Sequence, residues 1–469
     1  MICLTGAEDS VHKLAQRLQG HQGDNVLHEL RLDALRPFDE SVFALCNGPH
    51  LLVTCRPLRE HGAFEGSEAE RLEILRRAAA AGAGYLDLEL STDELLRRPL
   101  QHTPGGPKIV LSWHAQREGE AIPWHALQSE RAHTIKVACA ISDAADLEAL
   151  LPSEEDARPT IRIAMGEAGL LSRALYHAFG SPWTYVAARP EHATAPGQLT
   201  WDQAQRWRIA QGHTPLGLIG GPQIAASPGP QVYNALFSAL DWPFIYLPVL
   251  TQRPRAMLPL LERLGFAGLS VTMPAKELLL SSAHVLDQRS SEVGALNTLR
   301  LDTERREGLN TDVLAVERLL ARQGGEPALV LGTGGAARAA LGALSTLGCP
   351  ATISGRNEER TRALARRFRC SAIPWSKRMT QPTSIIINTT PCGVSEAGSP
   401  LEETYNWQEK TLLDAPITAG DTAFAHHARM GGAKVIDGRA WWLEQGLAQM
   451  EALLHRPIPR PLLEEMLHG

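Results

Sequence analysis

The sequence lacks the features that mark several large classes of protein. No apolar run approaches the roughly 18 residues of a membrane-spanning helix, and the first residues carry no basic region, so no signal peptide is expected. The net charge of -6 gives no reason to expect nucleic acid or an anionic membrane as a partner. The seven cysteines include no C-x-x-C pair, so neither a zinc site nor a disulfide framework is indicated, and we expect no metal. A reducing cytoplasm is the expected compartment.

The composition is that of a globular protein with several domains. Of the 469 residues, 44% are hydrophobic and 21% are charged, which are ordinary values. So long a chain rarely folds around one core, so two or three domains are expected. Nothing in the composition indicates the oligomeric state.

A glycine-rich loop follows an apolar run at residues 328–338, Ala-Leu-Val-Leu-Gly-Thr-Gly-Gly-Ala-Ala-Arg. The run predicts a buried parallel strand and the residues after it a helix. Gly332 would permit the tight turn, Gly334 would let the backbone approach a pyrophosphate, and Ala337 would allow close packing of helix on strand. The N–H groups of the helix N-terminus would face the phosphates. An ordinary strand–turn–helix with small residues is the alternative.

The first 210 residues alternate apolar β-rich segments with helical patterns. Eight segments predict strands: Met1–Gly6, Asn25–Leu32, Leu51–Cys55, Tyr85–Leu90, Lys108–Trp113, Thr134–Ala138, Thr160–Met165 and Trp183–Ala187. Helical patterns between them include Ser10–Leu18, Ser67–Ala81, Ala144–Leu151, Leu171–Phe179 and Thr200–Ala210. Eight such units in roughly 200 residues favour a (β/α)8 barrel. An open doubly wound sheet is the alternative, but no glycine fingerprint follows the first strand.

Polar side chains lie at the predicted strand ends, where a barrel carries its chemistry. They are Glu29, Arg31, Arg56, His114, Arg173, Thr194 and Gln198. Lys136 lies inside the sixth strand, and beside a histidine and three arginines it is a candidate Schiff-base nucleophile. An isolated strand lysine would more often be structural. Three arginines suit a substrate with a carboxylate, although Glu29 and Arg31 could instead pair with each other.

These motifs, in this order, resemble type I 3-dehydroquinate dehydratase over nearly all of residues 1–208. They are E-x-R-x-D from Glu29, R-x-x-x-E from Arg56 to Glu60, S-x-H ending at His114, K-V-A from Lys136, G-x-x-S-R ending at Arg173, and A-P-G-Q ending at Gln198. The resemblance implies that Lys136 forms an imine with a ketone and that His114 is the general base and acid. It implies that Glu29, Arg31, Arg56, Arg173, Thr194 and Gln198 hold the substrate. Ala115, Gln116 and His61 depart from the family pattern without removing a chemical role.

A second set of motifs lies in residues 213–469. They are Ser-Pro-Gly-Pro at 227–230, Ser-Val-Thr-Met-Pro-Ala-Lys at 270–276, Gly-Ala-Leu-Asn-Thr at 294–298, Gly-Leu-Asn-Thr-Asp at 308–312, the glycine loop, Asn-Thr-Thr-Pro-Cys-Gly at 388–393 and Gln-Gly at 445–446. Together and in this order, they resemble shikimate dehydrogenase. The resemblance implies a catalytic pair of Lys276 and Asp312. It implies that Ser227, Thr272, Asn297 and Gln445 bind substrate. Taken singly, Lys276 could be a solvated lysine at a helix start and Asp312 a helix N-cap.

The predicted cofactor is NADP. The second strand of the Rossmann-type region, Ala351–Ser354, is followed by Gly-Arg-Asn and not by an acidic residue that would bind the ribose of NAD. Arg356, helped by Arg360, would accept the 2′-phosphate, unless it is only a surface arginine. The expected cofactor-binding residues are Gly332, Gly334, Gly335, Ala336, Arg356, Arg360, Asn388 and Thr390.

Three departures bear on the substrate of this half. Gly229 stands where the family has a second serine, Ser270 where it has asparagine, and Ile417 where it has tyrosine. Gly229 leaves space and removes a donor, so quinate is an alternative substrate to shikimate.

The two resemblances imply consecutive reactions in one α/β chain. We expect a barrel at 1–210, a small α/β substrate domain at 214–312 and a Rossmann-type NADP-binding domain at 313–442, with helices in 443–469 packing back on the substrate domain. The expected substrates are 3-dehydroquinate, 3-dehydroshikimate and shikimate. A non-catalytic sensor of these metabolites is the alternative outside enzymes, although all four catalytic side chains are present.

Overall fold

A computed structural model describes residues 1–21, 23, 25–153, 158–302, 304–392, 398–418 and 420–468. The chain divides into two compact units. One comprises Met1–Thr214 with Phe237–Leu264, and the other Pro215–Leu236 with Gly265–Gly469. Among the described residues, we find no helix that combines the length and the apolar character needed to cross a membrane.

The first sheet is a nearly closed parallel barrel of eight strands. The strands are β1 (Ile2–Thr5), β2 (Val26–Arg31), β3 (Gly48–Thr54), β4 (Ala83–Glu89), β5 (Lys108–His114), β6 (Thr134–Ala140), β7 (Thr160–Met165) and β8 (Thr184–Ala187). Their order is β7-β6-β5-β4-β3-β2-β1-β8, so β1 to β7 each lie beside their neighbours in sequence and β8 pairs with β1. The predicted barrel is therefore confirmed, and its carboxyl ends form one rim.

Most of the helical patterns in the barrel form shorter helices than the sequence predicted, while the first forms a slightly longer one. They are α1 (Val11–Gly20), α2 (Glu68–Ala80), α3 (Glu94–Gln101), α4 (Trp124–Ser129), α5 (Leu170–Ala174) and α6 (Trp201–Arg206). The pattern at 144–151 is a 3-10 helix capped by Asp143, and Pro152 follows it closely. The pattern at 171–179 ends at Ala174 and continues as turns, and the pattern at 200–210 ends at Arg206 because Arg208 takes a left-handed conformation.

The second sheet is mixed. Its strands are β9 (Thr214–Gly220), β10 (Phe244–Leu250), β11 (Gly268–Val271), β12 (Val285–Leu286), β13 (Thr298–Arg300) and β14 (Glu307–Leu309), in the order β10-β9-β11-β13-β14-β12. Strand β13 runs antiparallel to both neighbours. The associated helices are α7 (Gly229–Ala239), α8 (Pro254–Arg263), α9 (Ala275–Leu278), α10 (Gln288–Val293) and α11 (Thr311–Leu320).

The third sheet is parallel and has the Rossmann order. Its strands are β15 (Ala328–Leu331), β16 (Ala351–Ser354), β17 (Ser371–Ile373), β18 (Ile385–Asn388), β19 (Thr411–Asp414) and β20 (Lys434–Ile436), ordered β17-β16-β15-β18-β19-β20. The helices are α12 (Gly335–Thr346), α13 (Glu358–Phe368), α14 (Ala423–Met430), α15 (Gly438–Leu454) and α16 (Arg460–His468). The connections reverse between β15 and β18, which creates a crevice at their carboxyl ends.

Helix α15 returns to the second sheet and lies against β11, β13 and α11. Gly268 in β11 makes the close approach possible, because a Cβ there would overlap Leu453 of the helix. The helix thereby carries its polar side chains into the region of the predicted dehydrogenase site.

Candidate active sites

A cavity of about 350 Å³ opens at the carboxyl rim of the barrel. The residues predicted for the first site all line it: Glu29, Arg31, Arg56, His114, Lys136, Arg173, Thr194 and Gln198. They come from strands β2, β5 and β6 and from the segments after β3, β7 and β8. The barrel topology therefore brings together side chains that are up to 169 positions apart in sequence.

Lys136 projects from the middle of β6, and its side chain is only 9% exposed. Its Nζ lies 3.4 Å from Asp87 Oδ2 and 4.4 Å from the ring centroid of Tyr185. The amine is thus held between a carboxylate and the face of an aromatic ring, with the cavity before it. Such an amine is placed to attack a carbonyl carbon that enters the barrel.

His114 ends β5, and two partners compete for its Nδ1. Arg56 Nη1 lies 3.0 Å from this nitrogen and Glu60 Oε2 lies 3.2 Å from it. Burial, and then the charges of Arg56 and Lys136, hold the pKa of His114 well below its usual range. The imidazole is therefore neutral at pH 7 and can accept a proton. Once protonated, its Nδ1–H can donate to Glu60, whose own pKa is raised by burial.

The three predicted arginines, which are among those that line the cavity, differ in what they contact. Arg31 pairs with Asp33 at 2.7 Å, so the suggested pair of Arg31 with Glu29 is wrong. Glu29 instead accepts hydrogen bonds from two threonine hydroxyls, Thr54 Oγ1 at 2.8 Å and Thr5 Oγ1. Strand alternation does not distinguish these partners, because Glu29 and Asp33 each lie two residues from Arg31.

Arg173, in α5, is fully buried, and its Nε and Nη2 find no hydrogen-bond partner among the described residues. Burial lowers its pKa to about 10, so the guanidinium remains charged at pH 7. A buried cation with donors directed into a cavity is a binding site for a carboxylate.

The segment after β8 supplies the remaining two predicted residues. Gln198 Oε1 accepts from Thr194 N at 2.8 Å and from Thr194 Oγ1 at 3.2 Å. These bonds close the turn and place both side chains at the cavity wall.

Two acidic residues of β4 were missed by the sequence analysis. Asp87 contacts Arg56 Nη2 at 2.9 Å as well as Lys136, and Glu89 lies 3.5 Å from Arg56 and 2.7 Å from Arg71. Burial alone would raise the pKa of Asp87, but Arg56 and Lys136 keep it below its usual value. Burial raises the pKa of Glu89 to about 7. The signal was present, since alternating acidic residues inside an otherwise apolar barrel strand point to a charged interior.

In the second unit, Lys276 and Asp312 form an ion pair. Lys276 Nζ lies 2.6 Å from Asp312 Oδ2, and the two side chains are 16% and 10% exposed. Lys276 lies in α9 and Asp312 in the first turn of α11. Asn310 caps that helix by accepting from Val313 N, so Asp312 is not its N-cap. The carboxylate of Asp312 is therefore available to bind the ammonium group of Lys276.

The four predicted substrate residues of this half lie on separate elements. Ser227 precedes α7 and accepts from Gly229 N at 3.3 Å, and Thr272 follows β11. Asn297 precedes β13 and is buried, with its Nδ2 3.4 Å from Gln445 Oε1 of α15. The structure thus joins Asn297 and Gln445 directly.

The glycine loop joins β15 to α12. Gly332 has φ +114°, and a Cβ there would overlap Thr389 Oγ1. Gly334 is the residue before α12 and faces open space, while a Cβ on Gly335 would lie 3.0 Å from Lys276 Cδ. Ala336 follows in the first turn. The helix N-terminus therefore has the bare backbone that a pyrophosphate requires and adjoins the catalytic lysine.

The other predicted cofactor residues fit the same crevice. Arg356 and Arg360 are exposed at the end of β16 and the start of α13. Asn388 is the buried last residue of β18, and its Nδ2 donates a hydrogen bond to Asp414. Its Oδ1 accepts from Thr390 Oγ1 at 2.7 Å. Asn388 therefore orients Thr390, which lies across the crevice from β15. Gly393, the last residue of that motif, lies outside the described residues. The donor set matches a dinucleotide with an additional phosphate.

Comparison with known proteins relates the two parts of the chain to two families. The profile of the family described as type I 3-dehydroquinase matches residues 2–211, and that of the shikimate dehydrogenase substrate binding domain matches residues 218–299. The chain is 28% identical to a bifunctional 3-dehydroquinate dehydratase/shikimate dehydrogenase, chloroplastic, of Arabidopsis thaliana, over 98% of this chain and 83% of that protein.

Two further relatives match only the second half. Shikimate dehydrogenase (NADP(+)) of Syntrophobacter fumaroxidans is 34% identical over 52% of this chain and 87% of its own length. The crystal structure of shikimate dehydrogenase from Aquifex aeolicus has a TM-score of 0.51 at 24% identity, covering 55% of this chain and 98% of that one. The structural likeness indicates the fold.

Proposed function

The chain belongs to the family of bifunctional proteins that join a type I 3-dehydroquinate dehydratase to a shikimate dehydrogenase, and from this premise we propose that it catalyses two consecutive reactions. The barrel converts 3-dehydroquinate to 3-dehydroshikimate and water. The second half reduces 3-dehydroshikimate to shikimate with NADPH. The observation that supports the proposal most strongly is the single cavity that holds Lys136, His114 and the unpaired Arg173.

The dehydration proceeds through an imine on Lys136. Nζ attacks the ketone carbon, and the carbonyl oxygen leaves as water while the C–N double bond forms. His114 then removes a proton from the neighbouring carbon, and the electron pair of that C–H bond moves toward the iminium nitrogen. This electron pair then moves back from nitrogen and expels the hydroxyl group. His114 donates its proton to that group, which leaves as water. Hydrolysis of the imine frees Lys136, so one water is lost overall.

Each polar group of the cavity supports a part of this sequence. Arg173 binds the substrate carboxylate, since its Nε and Nη2 have no partner in the part of the chain that the structure describes. Glu60 stabilises the imidazolium form of His114, and Asp87 places the amine of Lys136. Glu29, Arg31, Arg56, Thr194 and Gln198 hold the hydroxyl groups and the rest of the ring.

Borohydride trapping tests the imine. With 3-dehydroquinate present, borohydride should add the mass of the reduced substrate to Lys136, read by peptide mass spectrometry. The Lys136→Met variant should neither be labelled nor dehydrate the substrate, while still oxidising shikimate. An unlabelled Lys136 in active protein would exclude the Schiff-base mechanism.

The second reaction uses the ion pair of Lys276 and Asp312 in the second unit. Bound NADPH supplies the hydride that reduces the ketone. Lys276 donates a proton to the oxygen that becomes a hydroxyl, and Asp312 holds the ammonium in place. Ser227, Thr272, Asn297 and Gln445 bind the substrate around this pair.

The cofactor preference is tested at Arg356. In the Arg356→Ser variant, the KM for NADPH should rise about 10- to 100-fold because one charge-assisted contact to the 2′-phosphate is lost. The KM for NADH should change little. Equal effects on both cofactors would contradict the assignment, and Arg362→Ser, which removes an exposed arginine further along α13, is the matched control.

Quinate is a second candidate substrate of this half. Gly229 is buried at the start of α7, where a serine would add a donor, and Ile417 is 37% exposed where a tyrosine would add another. Because both hydrogen-bond donors are missing, we expect the site to be less selective for shikimate over quinate. Comparison of kcat/KM for quinate and shikimate with NADP decides between them.

A further inference from the structure

Gln449 of α15 bridges two strands of the second sheet. Its Oε1 accepts from Ser270 Oγ at 2.6 Å, and its Nε2 donates to the carbonyl oxygen of Asn297 at 2.8 Å and to Thr298 Oγ1 at 3.0 Å. Ser270 and Thr298 are cross-strand partners in β11 and β13. Gln449 is only 4% exposed, so bulk water does not compete for these bonds.

The donors and acceptors of this cluster fix the direction of each amide. The main-chain carbonyl of Asn297 can only accept, so Gln449 must turn Nε2 to it and Oε1 to the Ser270 hydroxyl. Thr298 Oγ1 accepts from Gln449 and donates to Asn297 Oδ1 at 3.0 Å. The Oδ1 of Asn297 is thereby turned to β13, and its Nδ2 faces Thr311 Oγ1 at 2.9 Å.

The same bonds continue to the ion pair. Thr311 N donates to Asn297 Oδ1 at 2.8 Å, and Thr311 is the first residue of α11. Asp312 follows it directly. On the other side, the carbonyl of Lys276 accepts from Leu296 N, the residue before Asn297. The amide of Asn297 therefore lies between the backbone segments that carry the two members of the pair.

We infer that Gln449 is a positioning residue of the dehydrogenase. It sets the orientation of the Asn297 amide and, through Thr311, holds Asp312 in the ion pair. The inference rests on the proposed dehydrogenase function. It also accounts for Ser270, which departs from the family pattern, because the serine hydroxyl is bonded to Gln449.

The first test replaces Gln449 by methionine, which keeps the volume and removes the amide. We expect Gln449→Met to lower the dehydrogenase kcat about 10- to 100-fold, since small displacements of catalytic groups have effects of this size. The primary isotope effect with deuterated NADPH should rise as hydride transfer becomes slower. The dehydratase activity of the same chain should be unchanged, which reports the concentration of intact chain, while thermal unfolding of the second unit reports its folding.

Leu447→Ala is the matched control, because Leu447 is buried on the same helix and takes no part in these bonds. It should lower the thermal stability of the second unit at least as much as Gln449→Met and leave kcat nearly unchanged. If Gln449→Met and Leu447→Ala lost kcat equally at equal stability, Gln449 would contribute only packing, and the inference would be wrong.

In a second variant, the expected loss of activity depends on pH. In Gln449→Glu, the protonated carboxyl can still accept from Ser270 and donate to the Asn297 carbonyl, whereas the ionised carboxylate would face that carbonyl with a negative charge. The kcat of this variant relative to the unsubstituted protein should therefore rise as the pH falls, and a constant ratio would contradict the inference. If the unsubstituted protein itself shows no NADP-linked oxidation of shikimate or quinate, the proposed function fails and this inference fails with it.

Discussion

At the scale of single residues, Asp87 connects the groups of the barrel site. Its Oδ2 contacts both Arg56 and Lys136, and its Oδ1 accepts from Ser112 Oγ at 2.5 Å. Without this charge, two buried cations would face each other with less compensation. The geometry of the amine therefore depends on a residue that does not itself meet the substrate.

The prediction for this residue is a large loss of dehydration. We expect Asp87→Asn to lower the dehydratase kcat about 10²-fold or more, because the amide cannot balance Arg56 and Lys136. Ser112→Ala, which removes one hydrogen bond to Asp87 but keeps its charge, should have a much smaller effect. The dehydrogenase activity of each variant reports the concentration of intact chain, and thermal unfolding of the barrel reports its folding. A fully active Asp87→Asn would contradict this role.

The pH dependence of the barrel reaction follows from His114. Its pKa lies well below the usual value of about 6.5, so the neutral base persists to lower pH than for an exposed histidine. The acidic limb of kcat/KM for dehydration, which reports the free enzyme, should therefore fall below pH 6.5. A limb at or above pH 6.5 would show that the imidazole is not held neutral in this way.

The sequence predicted the rim residues well because motif order in a barrel translates directly into position around the rim. It did not predict the role of Asp87, since the alternating carboxylates of β4 indicate a charged interior but not which cations they contact. It did not predict that Arg31 turns to Asp33, because side-chain direction depends on packing. Gln449 was out of reach for the same reason, as its partners are about 150 to 180 positions away.

At the scale of elements, the β15–loop–α12 unit depends on one backbone conformation. Gly332 has a positive φ, and the loop passes close to Thr389. Both conditions exclude a side chain at this position. The strand–loop–helix pattern of this unit could be predicted from the sequence. The lengths of the barrel helices could not be predicted, because those helices end at turns made by tertiary contacts.

Gly332→Ala tests this element. We expect loss of NADP-dependent turnover, since the strained φ and the overlap with Thr389 together cost about 1–3 kcal/mol and displace the loop. Gly348→Ala is the control, because Gly348 also has a positive φ but faces open space at the other end of α12. That control should lose some stability and keep the activity. Tight NADP binding by Gly332→Ala, measured calorimetrically, would contradict the assignment.

At the scale of the whole molecule, each proposed site is complete within one compact unit. The dehydratase residues all fall in residues 1–214, and the dehydrogenase residues fall in residues 215–236 and 265–469. Alternation of strands and helices predicted two of the three sheets. The short antiparallel strands β13 and β14 could not be predicted, because three-residue strands carry too little periodicity.

The separation of the sites predicts complementation between inactive chains. Lys136→Met alone and Lys276→Met alone should each fail to convert 3-dehydroquinate to shikimate with NADPH. A mixture of the two should form shikimate, since the free intermediate can pass from one chain to the other. Shikimate formation is followed by chromatography, and a mixture that stays inactive would show that both sites must be intact in one chain.

The guanidinium of Arg173, whose Nε and Nη2 have no partner among the residues described, has a thermodynamic consequence. Its desolvation is completed when the barrel folds, so an entering carboxylate meets a preorganised cation and only the anion sheds water. The empty barrel therefore retains an electrostatic penalty that ligand binding removes. Occupation by a carboxylate should raise the melting temperature of this unit more than the contact area alone would suggest, and a neutral analogue of the same shape should not.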